Sequence, residues 1–319
     1  EEFKTYTKSN AGLAIDHTEV LLVDSKDNIL VGTTQGLSVF NPNTEKAITY
    51  SADPNNSKGL STGFVLAIYE ESPSVIWVGT LNGINKIDRN SNQIQKWYEP
   101  DGLPNNSIRG IQPDNSGNLW ISTNKGLSRF SVSKNKFKNF TKIDGIQGNE
   151  YVINSFYKMR NGKLLFGGVN GFDIFDPSQV NDNTYIPPVV ITDFQIFNKS
   201  VIPGDPDSQL EKSISETSEA ELSYKESVFS FAFTALNFRA SDKNEYAYMM
   251  EGFDSDWNFV GSNRTASYTN LDPGEYTFKV KASNNDGIWN ETGTSLKIII
   301  SPPFWSTWWF RTLVFLIIA

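Results

Sequence analysis

The chain has 319 residues, with 28 Lys and Arg against 36 Asp and Glu, a net charge of −8, one histidine (His17) and no cysteine. The length points to about two or three domains, and an aromatic content of 13% is ample for sizeable cores. Without cysteine there is no disulfide, thiolate metal site or cysteine nucleophile, and a single histidine removes most metal and acid–base constellations. No basic cluster is present, so nucleic acid is a poor partner. No cofactor and no metal is expected. A disulfide-free chain of this size fits a bacterial envelope protein better than a secreted eukaryotic module.

Residues 1–10 carry Phe3-Lys4-Thr5-Tyr6, which is like Phe137-Lys138-Asn139-Phe140 later on and is read as the outer strand of a preceding repeat unit. Across residues 11–186 one motif is written four times: ILVGTTQGLSVF from Ile29, IWVGTLNGINKI from Ile76, LWISTNKGLSRF from Leu119 and LLFGGVNGFDIF from Leu164. The shared glycines Gly36, Gly83, Gly126 and Gly171 are 47, 43 and 45 residues apart. A second ladder, Gly before Leu or Ile, keeps the beat at Gly12, Gly59, Gly102 and Gly145. Short β-branched and aromatic runs broken by Gly, Asn and Asp read as four strands per repeat, which describes propeller blades. The last repeat has no obvious outer strand after Asp176. The four units either close as a ring, with the N-terminal strand completing the last blade, or form part of a larger one.

At Tyr185-Ile186-Pro187-Pro188 the beat stops. Residues 187–301 hold strands at 189–197, 228–238, 245–251, 257–260, 265–269, 275–282 and 295–300, with a polar stretch over 203–219. Phe229, Phe231 and Phe233 face one way, as do Tyr276, Phe278 and Val280. About seven such strands indicate an immunoglobulin- or fibronectin-like β-sandwich. Leu271-Asp272-Pro273-Gly274-Glu275-Tyr276 has the form of a tyrosine corner, in which the phenol bonds back to nearby backbone. Residues 302–319 end in an apolar run after Arg311, with Trp305, Trp308 and Trp309 placed as an interfacial belt. The run is shorter than the ~20 residues a spanning helix needs and is read as the start of one. The fold class is therefore all-β: a partial propeller of about four blades, a sandwich, then a juxtamembrane segment.

In a blade, the turn between strands two and three shares a ring face with the connection between blades. That face displays Gln35, Asn82, Asn124, Lys125 and Asn170 from the turns, and Asn106, Arg109, Glu150, Tyr151 and Asn154 from the connections. Amide, guanidinium, ammonium and phenol groups suit a carbohydrate, or an anionic one given Arg109 and Lys125. Such a face is the default ligand surface of a ring, so Asn82, Asn106, Arg109, Asn124, Lys125, Tyr151, Asn154 and Asn170 are the candidate ligand-binding residues. Trp77 and Trp120 are assigned to the core between blades, because Leu30 and Leu165 hold the equivalent places. No catalytic residue is assigned. Asp114 to Trp120 lacks the Asp-box spacing of sialidases, and the repeats also resemble those of streptogramin lyase, whose chemistry needs a histidine base. Spatial pairing among 36 acids leaves a glycosidase-type carboxylate pair as an alternative.

The repeats resemble the two-component regulator propeller repeats, whose body reads LWIGT…GL…F. The sandwich resembles the Y_Y_Y domain, through Tyr246-Ala247-Tyr248-Met249-Met250-Glu251-Gly252-Phe253-Asp254 with Trp257, Ala266-Ser267-Tyr268 and Pro273-Gly274-Glu275-Tyr276. Tyr248, Tyr268 and Tyr276 are its structural tyrosines. Pro302-Pro303-Phe304-Trp305 resembles the family's entry into its transmembrane helix. The resemblance is to the periplasmic part of hybrid two-component sensor histidine kinases of Bacteroides-like bacteria. It implies two seven-bladed propellers outside the inner membrane, and a sandwich leading to a membrane helix and a cytoplasmic phosphorelay. It further implies a homodimer and an oligosaccharide or glycan fragment as signal. The fragment itself would not be an enzyme, and the intact protein would be a histidine kinase. A surface carbohydrate-binding or adhesion protein of the same fold is the alternative. The fourth repeat departs from the pattern, with Gly167-Gly168 where the motif has Gly-Thr.

Overall fold

The computed structural model describes residues 3–205 and 208–318; Glu1, Glu2 and Ala319, at the outer ends of the predicted segments 1–10 and 302–319, lie outside the described residues. The chain divides into two compact units, Glu1–Asn181 and Asp182–Ala319. The division precedes the change in composition at Tyr185 because residues 182–187 are stapled to the second unit. Asn284 Nδ2 donates to the carbonyls of Asn183 (2.7 Å) and Tyr185 (2.6 Å), and Asn290 Nδ2 to that of Pro187 (2.9 Å).

The first unit opens with a one-turn helix α1 (Lys8–Ala11), capped by Thr7 and closed by Gly12 at φ +77°. Four blades follow. The first is β1 (Thr18–Val23), β2 (Ile29–Thr33), β3 (Gly36–Asn41) and β4 (Lys46–Ser51); the second is β5 (Val65–Ser72), β6 (Val75–Thr80), β7 (Gly83–Asp88) and β8 (Gln93–Trp97). The third is β9 (Ile108–Pro113), β10 (Asn118–Thr123), β11 (Gly126–Ser131) and β12 (Lys136–Phe140). The fourth has three strands, β13 (Tyr151–Lys158), β14 (Leu164–Gly168) and β15 (Gly171–Phe175). Each blade is an antiparallel sheet in sequence order. Residues 3–6 form no strand. Instead the Tyr6 ring lies 4.6 Å from Phe40 of β3.

One packing arrangement joins the blades. The outer-strand aromatic of one blade sits beneath a third-strand residue of the next. Trp97 lies 5.4 Å from Phe130 and 5.3 Å from Trp77 of its own blade. Phe140 lies 5.4 Å from Trp120, which is 4.6 Å from Phe175, and Tyr50, Leu30 and Ile87 share the cluster between blades one and two. Tyr6 against Phe40 is the same contact, so Tyr6 stands where a preceding blade's outer strand would stand. Trp77 and Trp120 are fully buried, and each removes roughly 200 Å² from water, an upper contribution of about 5 kcal/mol.

The arc is open at both ends. Leu21 of β1 is 62% exposed, where its equivalent in the third blade, Ile111, is 1% exposed. Phe172 of β15 is 65% exposed, whereas Leu127, likewise following the repeat glycine, is 1% exposed. Those faces are left uncovered on a partial propeller.

The second unit is a two-sheet sandwich built from β16 (Val189–Ile196), β17 (Lys199–Ser200), β18 (Glu219–Ser223), β19 (Val228–Ala235), β20 (Tyr246–Glu251), β21 (Asn258–Gly261), β22 (Thr265–Thr269), β23 (Gly274–Ser283) and β24 (Trp289–Ser301). The sheets run β17-β16-β19-β22 and β18-β24-β23-β20-β21. Period-two alternation drives Phe229, Phe231 and Phe233 inward against Phe278, with the Phe231 and Phe278 rings stacked at 4.1 Å. Two features differ from the sequence reading. β18 lies at the end of the polar stretch and pairs parallel with β24, and β24 begins at Trp289 rather than 295 because Gly293, at φ +59°, bends a strand that continues through it. Beyond Pro302-Pro303 lies α2 (Trp308–Ile318), of 11 residues, exposing Trp308, Phe315, Leu316 and Ile317. No helix among the described residues is long and apolar enough to cross a membrane.

Candidate functional site

The turns between strands two and three are held by the threonine that ends strand two. Thr33, Thr80 and Thr123 donate through Oγ1 to the carbonyls of Gly36, Gly83 and Gly126 (2.9, 2.8 and 2.9 Å). Each hydroxyl also accepts the N–H of a turn residue, Gln35 (3.0 Å), Asn82 (3.1 Å) and Lys125 (3.0 Å). This local side-chain-to-backbone bonding fixes the tip and leaves the side chains of Gln35, Asn82 and Lys125 exposed.

Gly168 replaces that threonine in the fourth blade, and Gln147 takes over. Its Oε1 accepts the N–H of Asn170 at 3.0 Å, and its Nε2 donates to Glu150 O at 3.2 Å. A Cβ on Gly168 would lie 1.9 Å from Gln147 Nε2, so the missing side chain makes the room that the glutamine fills. Sequence reading singled out Gly168 but missed its partner.

The connections between blades are anchored by polar third-strand residues. Ser38 Oγ accepts the N–H of Ala14 (2.9 Å), Asn85 Oδ1 that of Ser61 (2.9 Å) and Asp173 Oδ1 that of Gln147 (2.8 Å). Each donor stands two residues after a ladder glycine. In the third blade that place is Pro104, which has no N–H, and Ser128 bonds Asn139 instead (2.7 Å).

The structure sorts the eight predicted residues. Asn82, Lys125 and Asn170 are exposed on turn tips. Arg109 and Asn124 come together, with Arg109 Nε donating to Asn124 Oδ1 at 2.8 Å. Asn106 is a brace: its carbonyl accepts the N–H of Gly83 at 2.6 Å, and its Oδ1 that of Glu99 at 2.7 Å. Asn149, four residues after Gly145 as Asn106 is after Gly102, braces Gly126 in the same way at 2.6 Å and was missed. Asn154, at φ +59°, donates to Glu19 O at 3.1 Å. Tyr151 is buried and leaves the accessible face; its hydroxyl donates to Asp173 Oδ2 at 2.5 Å. Burial, then the Asp173 hydrogen bond, pushes the Tyr151 phenol well above its usual range, so it acts as a donor.

Four of the five assigned structural residues are hydrogen-bonded internally, and Tyr248 is held by ring packing. Trp77 Nε1 donates to Glu71 (2.7 Å) and Trp120 Nε1 to Asp114 (3.2 Å). Tyr276 donates to the carbonyl of Asp272 at 2.9 Å, closing the corner. Tyr268 donates to Asp254 Oδ2 at 2.8 Å, and the same oxygen accepts the N–H of Met250 at 2.7 Å. The Tyr248 ring packs 6.1 Å from Tyr268. Among the described residues no group of three or more His, Cys, Asp and Glu could hold a metal. A cavity of about 510 Å³ in the second unit is lined by Ile196, Lys199, Val201, Gln209 and Glu226, and by none of the predicted residues.

Residues 237–301 match the Y_Y_Y domain family, and residues 102–125 the two component regulator propeller family. Over 161 residues, 50% of this chain, the sequence is 42% identical to Histidine kinase P4 of Formosa agariphila, of which it covers 12%. The crystal structure of the extracellular domain of a protein described as a hybrid two component system, BT3049 from B. thetaiotaomicron, matches at 28% identity with a TM-score of 0.79, over 94% of this chain and 40% of that one. The chain thus spans less than half the length of either relative. Residues 102–125 are thus similar to the two-component regulator propeller repeats and residues 237–301 to the Y_Y_Y domain, and the chain as a whole is similar to the extracellular domain of a hybrid two-component system.

Proposed function

We propose that the chain is the periplasmic sensory region of a hybrid two-component histidine kinase anchored in the inner membrane. It binds an oligosaccharide on the turn-and-connection face of the propeller, and the sandwich relays binding toward α2. The kinase activity belongs to the rest of that protein, which works as a homodimer. The observation that carries this reading is the domain content, matched over 94% of the chain by the extracellular domain of BT3049.

Two features support a relay. Residues 182–187 are bound to the sandwich by side-chain amides and move as part of it. At the exit, β24 is paired on both edges, parallel to β18 and antiparallel to β23. Tyr224 N–H donates to Ser301 O at 3.1 Å, and the Trp305 ring packs edge-on 5.4 Å from Tyr224. A displacement of the sandwich therefore reaches residues 302–307 through hydrogen-bonded strand. Binding shifts a signalling equilibrium only by its differential affinity for the two states, with about 1.4 kcal/mol per tenfold.

The test is autophosphorylation of the full-length protein in lipid vesicles across an oligosaccharide panel. A ligand that binds residues 1–319 should change the phosphorylation rate. A ligand that binds without changing it removes the relay, and a native gene encoding no kinase makes surface glycan binding the better reading.

A further inference from the structure

The four inner strands share one irregularity. Register shifts between Thr18 and Val20, Val65 and Ala67, Ile108 and Gly110, and Tyr151 and Phe156 leave Glu19, Leu66, Arg109 and residues 152–155 as extra residues near the start of each strand. A bulge of this kind turns a side chain out of the ladder and is common beside functional sites. Two of the bulges meet, since Asn154 Nδ2 donates to Glu19 O at 3.1 Å across 135 residues of sequence.

Of these residues, Arg109 alone is cationic, and its charge is not neutralised. Arg89, by contrast, is a structural arginine, bound to the buried Asp24 at 2.8 Å with Glu70 at 4.0 Å. Arg109 is only half-buried, its Nε is held by the neutral amide of Asn124, and no carboxylate among the described residues lies within 4 Å of it. The Asn124 bond orients the guanidinium and leaves the two Nη groups as an end-on fork, the geometry that matches a carboxylate or sulfate bidentately. Lys125 adds an exposed ammonium on the same turn. Ser107, two residues before Arg109 and 7% exposed, has a hydroxyl without a hydrogen-bond partner. Of the acids on this side, Glu99 accepts from Asn105 and Asn106, Glu19 lies 3.7 Å from His17, and Glu150 is exposed.

We propose that Arg109, oriented by Asn124, is an anion-recognition residue, and that the oligosaccharide it serves carries a carboxylate or sulfate. This rests on the glycan reading of the face given above. The brace Arg109–Asn124 as a purely structural contact makes a different prediction, because Arg109→Gln keeps an amide donor and loses the charge.

The experiment is calorimetric titration of the full chain with tetragalacturonate, a chondroitin sulfate tetrasaccharide and neutral cellotetraose, for wild type, Arg109→Gln and Asn170→Ala. Carboxylate-only and sulfate-bearing probes separate the two anion sources. The expected result is binding of an acidic probe that weakens at least tenfold in Arg109→Gln, and also between 50 and 200 mM salt, with an unchanged thermal midpoint. An unchanged dissociation constant in Arg109→Gln overturns the proposal. Cellotetraose binding that Asn170→Ala weakens and Arg109→Gln does not also overturns it, while leaving the glycan reading intact. Binding of no probe overturns both.

Discussion

Gly126 and Gly171 occupy the same place in successive repeats with nearly the same backbone, φ +111° and +114°, yet they meet different surroundings. A Cβ on Gly126 would lie 2.3 Å from Phe140 O on the outer strand, whereas one on Gly171 finds nothing within 4 Å, because its blade has no fourth strand. Alanine at either site carries the strain of a left-handed-side φ, about 1–3 kcal/mol. At Gly126 it must also push β12 away from β11, which adds overpacking of about 1–3 kcal/mol and weakens the Leu127–Phe140 pairing by about 1 kcal/mol. Gly126→Ala should therefore cost about 2 kcal/mol or more beyond Gly171→Ala. Urea unfolding followed by tryptophan fluorescence reads the difference, because Trp77 and Trp120 are buried in the propeller. Equal losses would show that the repeat glycine serves φ alone and that the outer strand sets no demand on it. Gly36 and Gly83, whose Cβ would meet Tyr50 O at 2.4 Å and Trp97 O at 2.6 Å, should behave like Gly126.

Removing the Gln147 side chain by Gln147→Ala frees the Asn170 turn and should cost about 1 kcal/mol, with faster amide exchange at Asn170 than at Lys125, whose threonine pin remains. Burial pushes the Asp24 carboxyl up, but hydrogen bonds from Asn28, Arg89 and two backbone N–H groups outweigh it and hold the group below its usual range. Its contribution is thus present above the unfolded pKa of about 3.9 and lost as pH falls through the folded value. Asp24→Asn should lose about 3 kcal/mol at neutral pH and flatten the acid limb of a stability–pH curve; an unaltered limb would assign that limb to other carboxylates. Tyr276→Phe removes only the bond to Asp272 O and should lower stability by about 1 kcal/mol in the same urea assay.

The blades were legible because each repeat writes its requirements locally. A glycine stands where the outer strand crowds the third, a threonine pins the turn, and aromatic residues fill the seam. The sandwich was legible from the alternation of Phe229, Phe231 and Phe233. What escaped depends on pairs distant in sequence. Glu219–Ser223 alternates Ala220 and Leu222 inward among polar residues, and its strand character comes from parallel pairing with β24, some eighty positions on. Gln147 matters only because Gly168 has no side chain. Tyr151 reads as a loop residue, but as the first residue of β13 it turns inward to Asp173. Arg109 was legible as a cation on the face, while the bulge that presents it is a property of register.

Hydrogen exchange of residues 1–319 with and without a bound oligosaccharide is the most direct measurement of whether the propeller face is the sensory surface. Recognition there predicts slowed exchange at the turn amides of Gln35, Asn82, Lys125 and Asn170 and in the connections around Asn106 and Asn149. Slowing confined to the sandwich, or no change in the turns at saturating ligand, would contradict it.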